Sequence, residues 1–136
     1  MTLDTSYFDI VRNKTVQSQV AEQLNSLAIV AHGAAVQAGW WGPDGKEERN
    51  QAELICLMHS ELSEAMEALR KDLNDDHIID RKGVEVELAD CIIRIMDFAG
   101  KYELDIGGAL TEKMAYNTER ADHKLENRGK VGGKKF

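Results

Sequence analysis

One proline in 136 residues, Pro43, and no sustained alternation of apolar and polar positions leave little room for a sheet protein and predict an all-α fold. No apolar run approaches the ~20 residues of a membrane span. Met1–Ser6 lacks the basic start and apolar run of a signal peptide, so a cytoplasmic location with no membrane partner is expected. The two cysteines, Cys56 and Cys91, have no metal-type spacing, and reduced thiols on buried helix faces are their simplest account. Acidic residues outnumber basic ones, 24 to 17. A net charge of −7 argues against a nucleic-acid partner. A glycine-rich phosphate loop, a serine nucleophile elbow and a Cys-x-x-Cys pair are all missing. The four histidines, His32, His59, His77 and His123, form no metal-binding pair at i, i+3 or i+4.

What the chain does have is two acidic doublets between Ser60 and Asp90. Glu61 and Glu64 form the first, Glu87 and Asp90 the second, each spaced i, i+3 within an apolar helical pattern. That spacing leaves two side chains roughly 60° apart on one helix face. Two such helices side by side would gather four carboxylates. Left alone, the cluster is costly, because like charges at close range resist burial and raise one another's pKa. A hard divalent cation with a preference for oxygen ligands resolves the cost. A carboxylate metal site between two helices is the reading that follows.

In chain order, residues 1–13 read as an extended or poorly ordered lead-in. A first helix is predicted from about Thr15 to Gln37, with Val16, Val20, Leu24, Leu27, Ala31 and Ala34 on one face and Gly33 allowing close approach. Gly39–Gly45 is a loop by its glycines and proline, and it carries the adjacent pair Trp40 and Trp41. Such a pair either plugs a bundle end or interface, or offers a platform for a nucleobase. A second helix, about Glu47 to Lys71, has a core seam of Ile55, Met58, Leu62, Ala65 and Leu69, with Glu61 and Glu64 flanking it. A polar loop over 74–83 leads to a third helix, about Val84 to Lys101. One of its faces holds Val84, Leu88, Cys91, Ile92, Ile95 and Ala99, and the adjoining stripe holds Glu87, Asp90, Arg94 and Asp97. Asp105 is placed to cap a fourth helix, about Ile106 to Leu125, with a core set of Ile106, Ala109, Leu110 and Met114. Its polar stripe of Lys113, Asn117, Arg120 and Lys124 is suited to phosphate oxygens. From Lys124 to Phe136 there are five basic residues and one acid, leaving −11 on the preceding 123 residues. One domain, 1–136, is expected, with 126–136 as a basic flexible tail.

Three segments, His59–Glu67, Val86–Asp97 and Lys113–Arg120, resemble the MazG-like branch of the all-α nucleoside triphosphate pyrophosphohydrolases. The likeness runs from about Gln17 to the Gly132–Lys135 tail. The family's metal signature is an acidic doublet, a variable gap, then Glu-x-x-Asp; Glu61, Glu64, Glu87 and Asp90 stand at those positions. Where the family often opens with two consecutive glutamates, this chain has Ser60 before Glu61.

The resemblance implies a four-helix bundle assembled from dimerising helix hairpins, as a homodimer or homotetramer. It also implies hydrolysis of a nucleoside or deoxynucleoside triphosphate to monophosphate and pyrophosphate. Two or more Mg²⁺ (or Mn²⁺) ions would be held by Glu61, Glu64, Glu87 and Asp90, one glutamate of the first doublet serving as general base. Lys113, Asn117 and Arg120 would bind the phosphates, and His32, Trp40 and Trp41 the base. Two other readings fit an acidic helical protein. A di-iron carboxylate bundle would need Glu-x-x-His motifs, and a non-enzymatic interaction module would bind no metal.

Overall fold

A computed structural model describes residues 6–133 of the chain. Among them six α-helices run α1 (Ser6–Arg12), α2 (Lys14–Gln37), α3 (Gln51–Lys71), α4 (Gly83–Lys101), α5 (Ile106–Glu119) and α6 (Leu125–Arg128). The described residues hold no strand, only an isolated antiparallel bridge between Asn74 and Lys82. The all-α expectation holds. No described helix is long and apolar enough to cross a membrane.

Ser26–Leu104 forms one compact unit, and the residues before and after it form another. In the second of these, α1 packs on α5. The expected extended lead-in is corrected here, because Ser6–Arg12 is helical; residues 1–5 lie outside the described residues. Asn13 marks the break. Its side-chain oxygen accepts from the backbone N–H groups of Thr15 and Val16 at 3.0 and 3.2 Å, so it stops α1 and caps α2. Gln17 is buried and donates to the Val11 carbonyl at 2.8 Å. Asp105 caps α5 as its position suggested, accepting from Gly108 N–H at 2.9 Å and from the Asn25 amide at 2.8 Å. Both bonds hold its carboxyl below the usual carboxylate range, Asn25 contributing most. The helix ends at Glu119 rather than near Leu125. Arg120 turns to an extended conformation, and a short 3₁₀ turn over Ala121–His123 follows. Leu125–Arg128 adds one helical turn within the expected tail region, and residues 134–136 lie outside the described residues.

In the Ser26–Leu104 unit, α3 and α4 form an antiparallel hairpin. Asn50 starts α3 by accepting from Ala52 and Glu53 N–H, a cap of about 1 kcal/mol. Asp72 ends it in the left-handed region at φ 48°. The face of α3 that is buried holds Leu54, Glu61, Ala65 and Ala68; on α4 it holds Gly83, Cys91, Met96 and Ala99. Small residues at these positions let the two backbones approach. A Cβ added to Gly83 would lie 3.0 Å from the Ala68 methyl. This corrects the predicted seam of the second helix: Ala65 belongs to the buried face, but Ile55, Leu62 and Leu69 are exposed. Helix α3 carries two apolar stripes about one residue apart, and the one with smaller residues packs inward. Glu61 therefore sits in the buried face rather than beside it.

The C-terminal part of α2 lies against α4 at Gly100. A Cβ there would come within 2.5 Å of the Ala28 carbonyl oxygen and 2.6 Å of His32 Cβ. Gly33, by contrast, has none of the described residues' atoms within 4 Å of the place its Cβ would take, its own helix backbone and chain neighbours aside. Replacing Gly100 with Ala should therefore force the helices apart and cost about 1–3 kcal/mol. Gly33→Ala should instead stabilise by about 0.5–1 kcal/mol, as expected for glycine in an open helix interior. Urea midpoints of the two variants should move in opposite directions.

Candidate metal centre and adjoining groove

The hairpin brings Glu61, Glu87 and Asp90 together, with one carboxylate oxygen from each lying within 4.8 Å of the others. Glu61 is buried at 6% exposure, whereas Glu87 and Asp90 are partly open. The i, i+3 spacing on α4 aims its pair at the same side, and packing of α3 supplies the third acid. Glu64, one turn on from Glu61, is exposed and lies outside this trio. Its charge still acts on Glu87. Desolvation, then the charges of Glu64, Glu61 and Asp90, push the Glu87 carboxyl above its ordinary range. Asp90 is also raised, chiefly by desolvation and then by Glu61, while Arg94 pulls it back. Arg94 Nε–H donates to Glu61 Oε1 at 2.5 Å.

Three hard oxygen donors with excess negative charge suit a divalent cation. Cis and trans ligands of a Mg²⁺ ion sit about 3 and about 4 Å apart, so small side-chain rotations would bring this trio into range. No histidine joins the cluster among the described residues, and His59 is exposed on α3. The donor set fits Mg²⁺ or Mn²⁺ better than a di-iron pair.

A second network holds the tryptophan loop. Asp97, on the same α4 stripe two turns beyond Asp90, accepts from Trp41 Nε1–H at 2.9 and 3.2 Å. His32 Nδ1 lies 2.8 Å from the same carboxylate; because an ionised carboxylate only accepts, this ring nitrogen donates. Trp41 is fully buried, edge-on to His32 and Tyr102, with the cations of Lys101 and Arg49 at 4.8 and 5.5 Å from its ring centre. Trp40 stays 67% exposed. So the paired tryptophans divide: Trp41 anchors the loop and Trp40 has an open face. Between them and the acids runs a groove of about 810 Å³, whose walls include Ala34, Ala38, Trp40, Trp41, Glu61 and Asp90. His32 supports this groove through Asp97 and is not part of its wall.

Lys113, Asn117 and Arg120 belong to the other unit. Asn117 and Arg120 line a cavity of about 860 Å³ together with His123, Lys124 and Arg128, and Lys113 does not. The Lys113 ammonium lies 4.8 Å from the Tyr116 ring centre, and the Arg120 guanidinium 5.9 Å from it. Arg120 also grips Asp122 with two hydrogen bonds of 3.0 and 2.6 Å, which lower the Asp122 pKa. Asn117 Oδ1 is buried without a hydrogen-bond partner among the described residues. Because α5 ends before Arg120, the predicted four-residue stripe is not one continuous helix face.

No family model, curated protein or solved structure matches the chain. The groups themselves carry the chemistry. Two residues that matter here, Arg94 and Asp97, were visible in sequence only as members of an acidic and basic stripe. Their spacing from Asp90, i+4 and i+7, was the signal that they share its face.

A carboxyl whose folded-state pKa is raised holds its proton more tightly when folded. Glu87 and Asp90 therefore stabilise the metal-free protein below the ordinary carboxylate range, and that contribution is lost as pH rises through their raised values. The metal-free melting temperature should fall across that window, and a Glu87→Gln/Asp90→Asn protein should show a smaller fall. Equal slopes in the two proteins would contradict the crowding of these acids.

Proposed function

We propose that the protein is a Mg²⁺- or Mn²⁺-dependent nucleoside triphosphate pyrophosphohydrolase, the activity its resemblance to the MazG-like enzymes implies. The observation that carries this reading is the groove that joins an exposed tryptophan to Glu61 and Asp90. A site for a nucleotide needs an apolar or aromatic surface for the base beside a charged end for the phosphates. This groove offers the first directly. The acidic end serves phosphates only once cations reverse its charge, which is why metal dependence belongs to the proposal.

Glu61, Glu87 and Asp90 would hold the cation. When bound, it supplies charge neutralisation at phosphate oxygens and a water of lowered pKa. Glu64 stands beside the trio with an exposed carboxylate, so of the first doublet it is the better placed to take the proton of the attacking water. That water would add to the α-phosphorus as the α–β bridging bond breaks, releasing monophosphate and pyrophosphate. Asp97 and His32 would keep Trp41 fixed beneath the groove, with Trp40 open for the base.

Assembly as a homodimer or homotetramer is part of the same reading. Ile55, Leu62 and Leu69 recur every seven residues on the outer face of α3, with Met66 between them, and each is more than 40% exposed. Such a seam pairs with a copy of itself in a coiled-coil-like contact. Leu62→Glu should convert the assembly to monomers in sedimentation velocity, leaving the helix content unchanged.

With Mg²⁺ and a panel of nucleoside triphosphates, monophosphate and pyrophosphate should appear together. Glu61→Gln and Asp90→Asn should each lower turnover by at least ~100-fold, since even outer-shell partners of a metal account for 10–100-fold. Glu64→Gln should lose about 10²–10⁴-fold in turnover while keeping most of its metal affinity. Orthophosphate as the only product, or full activity in both ligand variants, would overturn the reading.

A further inference from the structure

Arg94 is the one cation bonded to the acidic trio among the described residues, and its position is peculiar. It stands one turn beyond Asp90 on α4, and its Nε–H donates to Glu61 Oε1. The two ends of this pair differ in exposure. The Glu61 side chain is 7% exposed and fixed in the α3–α4 packing, whereas the Arg94 side chain is 43% exposed. Only its Nε is engaged; neither terminal amino group of Arg94 is bonded to a described residue. The same side chain forms part of the groove wall, together with Glu61 and Asp90.

We propose that Arg94 is an exchangeable internal cation, which neutralises Glu61 when no metal is bound and is released into the groove when a divalent ion takes its place. The proposal rests on the metal reading given above. Its physical basis is that a buried carboxylate cannot stand unpaired without a large penalty, so some cation must accompany Glu61 in every state. Arginine and a divalent ion are both attracted to that carboxylate and repel each other. Occupancy by the ion therefore removes the reason for Arg94 to stay. A flexible, partly exposed guanidinium leaves readily, and its planar fork then suits a phosphate group in the groove. An anion that draws Arg94 away would by the same token free Glu61 for the metal. Metal and anion binding are thereby coupled through one side chain, and the coupling is reciprocal.

The test measures Mn²⁺ binding by calorimetry, without nucleotide and at mildly alkaline pH, for the full-length wild type and Arg94→Gln. Melting of both is followed with and without Mn²⁺. With its competitor removed, Arg94→Gln should bind Mn²⁺ on the order of tenfold more tightly than wild type. It should melt below wild type without metal and draw level when Mn²⁺ saturates the site. Arg94→Lys keeps a charge but lacks the Nε–H donor, so its Mn²⁺ affinity should fall between the two; it also serves if Arg94→Gln does not fold without metal. Equal Mn²⁺ affinity in all three proteins, or weaker binding in the variants, would overturn the exchange while leaving the metal site standing. No Mn²⁺ binding by any of them would remove the metal reading and the exchange together.

Discussion

Glu61 is a carboxylate that helix packing forces out of water, and much of the Ser26–Leu104 unit can be understood as the means of tolerating it. Glu61 lies in the same buried face of α3 as Ala65 and Ala68, the small residues that let α3 approach α4. Two further acids, Glu87 and Asp90, are then carried to within 4.8 Å by the geometry of α4. Desolvation first, and then like charges so placed, favour the protonated form and raise the pKa of both. Arg94 offsets part of the excess. A single guanidinium against three carboxylates leaves the cluster with an excess of negative charge.

The aromatic loop depends on the same helix. Asp97 follows Asp90 by two turns on α4, and through it the backbone of that helix fixes Trp41, His32 and hence the loop entrance. Acidic cluster, arginine and loop anchor thus form a single stripe along α4, from Glu87 to Asp97. Displacement of α4 relative to α3 would disturb all three at once. A close contact at Gly100 adds α2 to this frame, since the Ala28 carbonyl leaves no space for a side chain there.

The existence of the helices and the acidic doublets was legible in sequence because both are periodic. The 3.6-residue period places Glu87 with Asp90 and marks α4 as two-sided whatever else surrounds it. Which apolar stripe of α3 faces inward was not legible. Ile55, Leu62 and Leu69 are larger and more apolar than Ala65 and Ala68, yet close backbone approach selects the alanines. The same ambiguity put Glu61 at the edge of the packed face instead of within it. The seven-residue helix α1 escaped because a helix of two turns has too few positions to show a period, and its boundary depends on a single asparagine cap. Likewise Arg120 reads as helical from its spacing, and its departure from the helix reflects a local pairing with Asp122. Long-range partnerships such as Asp97 with Trp41, 56 residues apart, have no signature in one sequence.

The division of labour between the two tryptophans has a spectroscopic consequence. One indole is wholly enclosed and hydrogen-bonded to a carboxylate, while its neighbour in the chain stands mostly in solvent. Their emission should therefore separate into a blue component, inaccessible to iodide, and a red one that iodide quenches. The red component reports what touches the groove entrance, and the blue one reports whether the loop is still fastened to α4. With no label attached, the chain distinguishes occupation of its surface from loosening of its frame.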